Sequence, residues 1–190
     1  DLDDTVWPFA PIGERIERVL DEWLRTHSPE TAKRWPPEAM RAMRERVWRN
    51  NPHLAHDLSA LRRMTLEIAL RDSGADMALL DPAYEAFYAA RNEVEHYPDS
   101  LDALARISAR VPVAALSNGN ADLARIGLDH LFTAQLSACT FGSAKPDVSM
   151  TMCWGGSGRW SSLRMAGRKS SATVQQMQPL ASSITSSSRQ

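Results

Sequence analysis

Two aspartates stand either side of a leucine in Asp1-Leu2-Asp3, two residues ahead of the apolar stretch Val6-Trp7-Pro8-Phe9. At that spacing one carboxylate can attack as a nucleophile. The other can protonate a leaving group and then activate water. Two further residue types extend the set. The hydroxyl of Ser117, in Ser117-Asn118-Gly119-Asn120, can donate to a phosphate oxygen, and the ammonium of Lys145 can neutralise carboxylate and phosphate together. Phosphoryl transfer depends mostly on positioning and charge neutralisation, and these groups suit it. Each fragment alone also has a plainer reading: a solvated acidic cluster, a turn at Ser117-Asn118-Gly119, and a loop at Lys145-Pro146-Asp147.

Such side chains need elements that bring them to one place. Asp1 and Asp3 alternate with Leu2 as at the end of a strand. Val111–Leu116 is a short continuous apolar run of the kind buried in a parallel sheet. A second strand is expected in "AQLSACTFG", residues 134–142, with a helix starting at "ADLARIGL" between the two. Strands separated by helices predict a doubly wound α/β sheet. Ligands bind such sheets beyond the carboxyl ends of the strands, where Ser117, Asn118 and Lys145 would lie.

Residues 12–95 carry a different pattern. Ile12, Ile16, Val19, Leu20, Trp23 and Leu24 recur at helical spacing on one face. Ser28-Pro29-Glu30 resembles a helix start with Ser28 as N-cap. Pro37 opens a helix with Met40, Met43 and Val47 on one face, and Asp57 or Ser59 caps the next, which ends at Gly74. A last helix starts at Asp81-Pro82 and stops before Pro98. Four amphipathic helices with short connections predict a small bundle. The Met and Trp residues of 35–64 are expected in its core, and Arg62 and Arg63 on a solvated face. His53, His56 and His96 lack metal-ligand spacing and are expected at packing or surface positions.

Composition limits the classes of function. A formal net charge of −1 argues against a nucleic-acid partner. No apolar run of about 18 residues predicts a membrane span. Cys139 and Cys153 form neither a disulfide framework nor a zinc pattern. We therefore expect a reducing, cytoplasmic setting. The average hides a break: all 23 acidic residues lie at or before Asp147, while residues 148–190 carry 5 basic residues and 11 serines. We read residues 148–190 as a disordered, Ser-rich, off-pattern tail and as the product of a shifted reading frame. The shifted codons for residues 167–178 permit Gly-Asp-x-x-x-Asp.

The three fragments "DLDDT", "LSNGN" and "AKPD", in that order with a helical stretch between the first two, resemble the haloacid dehalogenase (HAD) superfamily over residues 1–147. The resemblance implies an α/β core from residues 1–11 and 98–147. It also implies an inserted α-helical cap at 12–97, of the subgroup with the cap after the first motif. It implies a hydrolase in which Asp1 becomes a phosphoaspartate and Asp3 is the general acid/base. Asp1 and the Asp3 carbonyl would bind Mg²⁺. Thr5 would support the loop, Ser117 and Asn118 would bind the phosphoryl group, and Lys145 would hold nucleophile and phosphate. The acid at Asp3 favours a phosphatase acting on a small phosphorylated metabolite. A dehalogenase-type hydrolase and a non-catalytic helical interaction module are the alternatives. The superfamily pattern also includes a strand leading into the first motif and a fourth, acidic motif. Neither is found in this sequence, so we expect weak or no Mg²⁺-dependent turnover from the 190-residue chain.

Overall fold

A computed structural model of the protein describes residues 1–145. Pro146, Asp147, Cys153 and the whole of 148–190, on which several of the expectations above fall, lie outside the described residues.

The predicted bundle is present with five α-helices in place of four. α1 (Ala10–His27) buries Ile12, Ile16, Leu20 and Leu24, a four-residue repeat that keeps one stripe inward. It ends at Ser28 because Pro29 opens α2 (Pro29–Arg34). Ser28 occupies the N-cap position without capping the backbone. Its hydroxyl pairs instead with Thr31 Oγ1 at 2.7 Å, which continues to Ser73 Oγ at 2.6 Å. α3 (Pro37–Asn50) buries Met40, Met43 and Val47, whereas Trp48 is half exposed and lies outside the expected core. α4 (Leu58–Asp72) is capped by the Asp57 carboxylate, which accepts from the Ala60 N–H at 2.8 Å. Beyond its C-cap Ser73, Gly74 takes a φ of 70°, which costs glycine nothing.

α5 (Leu80–Asn92) stops short of the expected end near Pro98. Tertiary bonds claim the missing turn. Arg15 donates to the Glu93 carbonyl and to the Glu95 carboxylate, and Tyr97 N–H donates to Val6 O at 3.0 Å. The segment is thereby tied back to the turn that follows Asp3.

After α6 (Ser100–Ser108) come β1 (Ala114–Ser117), α7 (Leu123–Ile126), β2 (Ala134–Ser137) and α8 (Ala138–Phe141). The two strands pair in parallel, Ala114 opposite Ala134 and Ser117 opposite Ser137. The fold is thus helix-rich α/β with a short parallel sheet. β1 starts later than predicted, and Val111 is half exposed. β2 is half the predicted length because Ser137 and Thr140 form a capping box that turns the chain into α8. α7 is a single turn, started by Asp122 accepting from Ala124 and Arg125 N–H groups and closed by Gly127 at φ 81°.

Two apolar clusters organise these elements. One joins Leu2, Val6 and Trp7 to Ile12 and Ile16 of α1, Phe87 and Ala90 of α5, and Ala115 of β1. The other lies among the helices: Leu20, Leu24, Met40, Met43, Val47, Leu61, Leu66, Ala69, Leu70 and Ala83. α1 contributes to both, its first half to one and its second half to the other. Among the described residues no helix is long and apolar enough to cross a membrane.

Candidate active site

The expected alternation at the first three residues is observed: Leu2 is 1% exposed, while Asp1 and Asp3 turn the other way. Burial of Leu2 beside Trp7 therefore orients both carboxylates. A tight turn follows. Thr5 and Val6 N–H groups donate to Leu2 O, Asp4 N–H donates to Trp7 O at 2.7 Å, and Asp4 adopts a φ of 57°. Aspartate tolerates this left-handed conformation better than most residues. Thr5 serves the turn through its N–H, and its side chain is exposed.

Lys145 reaches the first aspartate. Its Nζ donates to Asp1 Oδ2 at 2.7 Å and to the carbonyl of Leu116 at 2.9 Å. The other Asp1 oxygen accepts from the Leu2 N–H at 2.9 Å. Asn118 brackets the lysine backbone. Its Oδ1 accepts from Lys145 N–H at 2.7 Å, and its Nδ2 donates to Lys145 O at 3.3 Å. The Asn118 amide expected to bind a phosphoryl group thus holds Lys145 in this structure. Ser117 is 4% exposed, and its Oγ accepts from Gly119 N–H at 3.0 Å.

Asp3 has a different environment. Its Oδ1 accepts from Trp7 Nε1 at 2.8 Å and from Arg91 Nη2 at 2.8 Å, and its Oδ2 accepts from the same Nη2 at 2.7 Å. Arg91 is 2% exposed and comes from the last turn of α5. Its Nε donates to Asn120 Oδ1 at 3.2 Å, and Asn120 Nδ2 donates to Ser59 Oγ at 3.2 Å on the first turn of α4. Gly119 lies against this pair. A Cβ there would stand 2.5 Å from Asp3 Oδ2 and 3.1 Å from Arg91 Nη2, so the close approach requires glycine.

The structure thus gathers Asp1, Asp3, Ser117, Asn118 and Lys145, and leaves the Thr5 side chain outside. Sequence reasoning missed Arg91, Trp7, Gly119 and Asn120. Arg91 left one signal: it follows Ala83, Phe87 and Ala90 on the buried stripe of α5, where a lone charge calls for a partner. Arg62 also departs from expectation. Its guanidinium stacks 4.5 Å from the Phe87 ring centroid. Burial, with repulsion from Arg44 second, pulls its pKa down to about 10, which leaves it cationic at neutral pH. Arg63 matches a surface reading more closely, paired with Asp81 and lying over Tyr84. His96 packs edge-on against Trp7, as expected of a packing residue.

The donors that the family resemblance assigns to a divalent cation, the Asp1 carboxylate and the Asp3 carbonyl, are hard oxygens. Mg²⁺ takes one or two carboxylates and fills its octahedron with water and substrate oxygens, so this donor set fits as part of a site. The described residues contain no group of three His, Cys, Asp or Glu side chains placed to hold a metal.

Two oriented carboxylates and a lysine whose Nζ reaches the carboxyl end of β1 suit a hydrolase of α/β type. The family model for haloacid dehalogenase-like hydrolases matches residues 1–150, and the chain belongs to that family. It is 27% identical over 154 residues to the 5-amino-6-(5-phospho-D-ribitylamino)uracil phosphatase YigB of Escherichia coli (strain K12). That match covers 79% of this chain and 64% of the relative. The chain therefore spans less than two thirds of that relative's length. A solved 2-haloacid dehalogenase from Pseudomonas syringae pv. Tomato DC3000 is 34% identical with a TM-score of 0.73, over 80% of this chain and 67% of that one.

Proposed function

We propose that this hydrolase is a Mg²⁺-dependent phosphatase that cleaves a small phosphorylated metabolite through a phosphoaspartate on Asp1. The observation that carries the reading is Asp3, an acid two residues beyond the nucleophile and held beside the Ser117–Asn120 loop. Loss of a halide needs no proton, whereas an ester oxygen leaves readily only when protonated. The likeness to the curated phosphatase supports the same choice.

In this reading Asp1 attacks phosphorus as the P–O ester bond breaks, and the leaving oxygen takes a proton from Asp3. Asp3 Oδ1 accepts from two donors and Oδ2 from one, so Oδ2 is the oxygen that carries the transferred proton and later takes one from water. Asp3 then takes a proton from water, which attacks the phosphoaspartate and releases inorganic phosphate and free Asp1. Lys145 offsets the charge of Asp1 and of the phosphoryl group. Bound Mg²⁺, held by the Asp1 carboxylate and the Asp3 carbonyl, would shield nucleophile and phosphoryl oxygens from each other. Residues 12–97 act as a cap over the core of 1–11 and 98–147, excluding bulk water from the acyl phosphate.

The test compares phosphate release from p-nitrophenyl phosphate and small sugar and nucleoside monophosphates with chloride release from 2-chloropropionate. Slow, Mg²⁺-dependent phosphate release that Asp1→Asn abolishes is expected; its slowness follows from the absence of any carboxylate in residues 148–190. Chloride release in Mg²⁺-free buffer, without phosphate release, overturns the reading.

A further inference from the structure

We propose that Arg91 is a positioning residue for Asp3, so that the geometry of proton transfer depends on how the helical segment is seated. The inference rests on the phosphatase reading above. Three observations carry it. First, one guanidinium nitrogen spans both oxygens of the Asp3 carboxylate, at 2.8 and 2.7 Å, and fixes its rotation together with the Trp7 indole. Secondly, the arginine belongs to α5, and the Asn120 amide links it to Ser59 of α4. Two helices of the bundle are thereby joined to the residue that moves the proton. Thirdly, Arg91 Nη1 is buried without a hydrogen-bond partner. An ion pair selected for stability alone would satisfy its donors, because an unmet buried donor is costly. The orphaned nitrogen indicates that the position of the fork is what matters. Gly119 gives the same indication, since a Cβ there would displace the Asp3 carboxylate from its place beside Arg91.

The experiment uses the full chain with Arg91→Met and Arg91→Lys. The first readout is turnover of a sugar or nucleoside monophosphate, whose alkoxide leaves only when protonated. Arg91→Met should lower kcat by roughly 100-fold, within the range of general acid–base contributions. KM and the Kd for inorganic phosphate should stay within about 3-fold, because neither Asp1 nor Lys145 touches Arg91. Arg91→Lys, which keeps the charge and loses the fork, should recover about a tenth of the lost rate. The second readout is the Trp7 indole N–H resonance, assigned with Trp7→Phe, and it needs no activity. The resonance should move in Arg91→Met, because Asp3 Oδ1 is no longer fixed, and move back part of the way in Arg91→Lys. If Arg91→Met does not fold, Arg91→Lys alone must show the lowered kcat and a displaced indole signal. Full kcat with an unmoved indole in a folded variant overturns the proposal. If the wild-type chain releases chloride from 2-chloropropionate and no phosphate, the phosphatase reading fails; there, and where it releases neither, the indole signal alone decides whether Arg91 positions Asp3.

Discussion

Asp1 and Asp3 are separated by one residue and held in opposite ways. Asp1 is 44% exposed at its side chain and meets Lys145, which is bound to the loop after β1. Asp3 is 21% exposed and meets Arg91, which is 2% exposed and carried by the bundle. One ion pair lies within the α/β part of the chain, and the other links that part to the helical segment. An exposed pair contributes about 0–1 kcal/mol, whereas breaking a buried pair by removing one partner costs about 3–5 kcal/mol. The first aspartate is therefore held at little structural cost, and the second is built into the fold.

This contrast can be broken from either side. The largest expected effect is at Asp1: Asp1→Asn should remove phosphate release by more than about 10³-fold as the nucleophile is lost. Its melting temperature by calorimetry should stay within about 2 °C of wild type. Arg91→Met, besides slowing turnover, should lower unfolding free energy by about 3–5 kcal/mol in urea titrations, as expected for a buried carboxylate left without its cation. Leu70→Ala, in the cluster among the helices, should cost about 2–5 kcal/mol while leaving the Trp7 indole resonance unmoved. Asp57→Ala should cost about 1 kcal/mol through loss of the α4 cap, and it should loosen the Ser59–Asn120 link next to it.

The smallest effect is a pH dependence in the bundle. The hydrogen bond from Arg41, with a second from Arg44, holds the Glu17 carboxyl below the usual glutamate range. A depressed folded-state pKa contributes stability that is complete above the unfolded value. That stability is lost as pH falls through the folded value. Melting temperature should therefore drop on acidification below the ordinary glutamate range, and Glu17→Gln should flatten that drop.

The sequence announced the site better than its surroundings. Asp1, Asp3, Ser117, Asn118 and Lys145 stand in fixed local patterns that can be read from their neighbours, and the structure brings them together. Arg91 could not be read that way, since its partner lies 88 residues away. Only its place on an apolar stripe gave notice. The helices of the bundle were legible from apolar spacing because packing enforces the same period. Boundaries failed where tertiary bonds or caps overrode the local pattern. α5 ends where Arg15 captures the Glu93 carbonyl. β2 ends where Ser137 and Thr140 cap each other, a signal that was visible in "SACT" and outweighed by the apolar run around it.

The bracket at Asn118 has a consequence for the lysine it holds. Asn118 grips the backbone of residue 145 through both its N–H and its C=O, and makes no use of the ammonium. The path of the chain there is set independently of what the side chain is. Position 145 is thus a socket whose plug can be exchanged. A shortened side chain leaves the Asp1 and Leu116 oxygens without their shared donor while the backbone around them keeps its path.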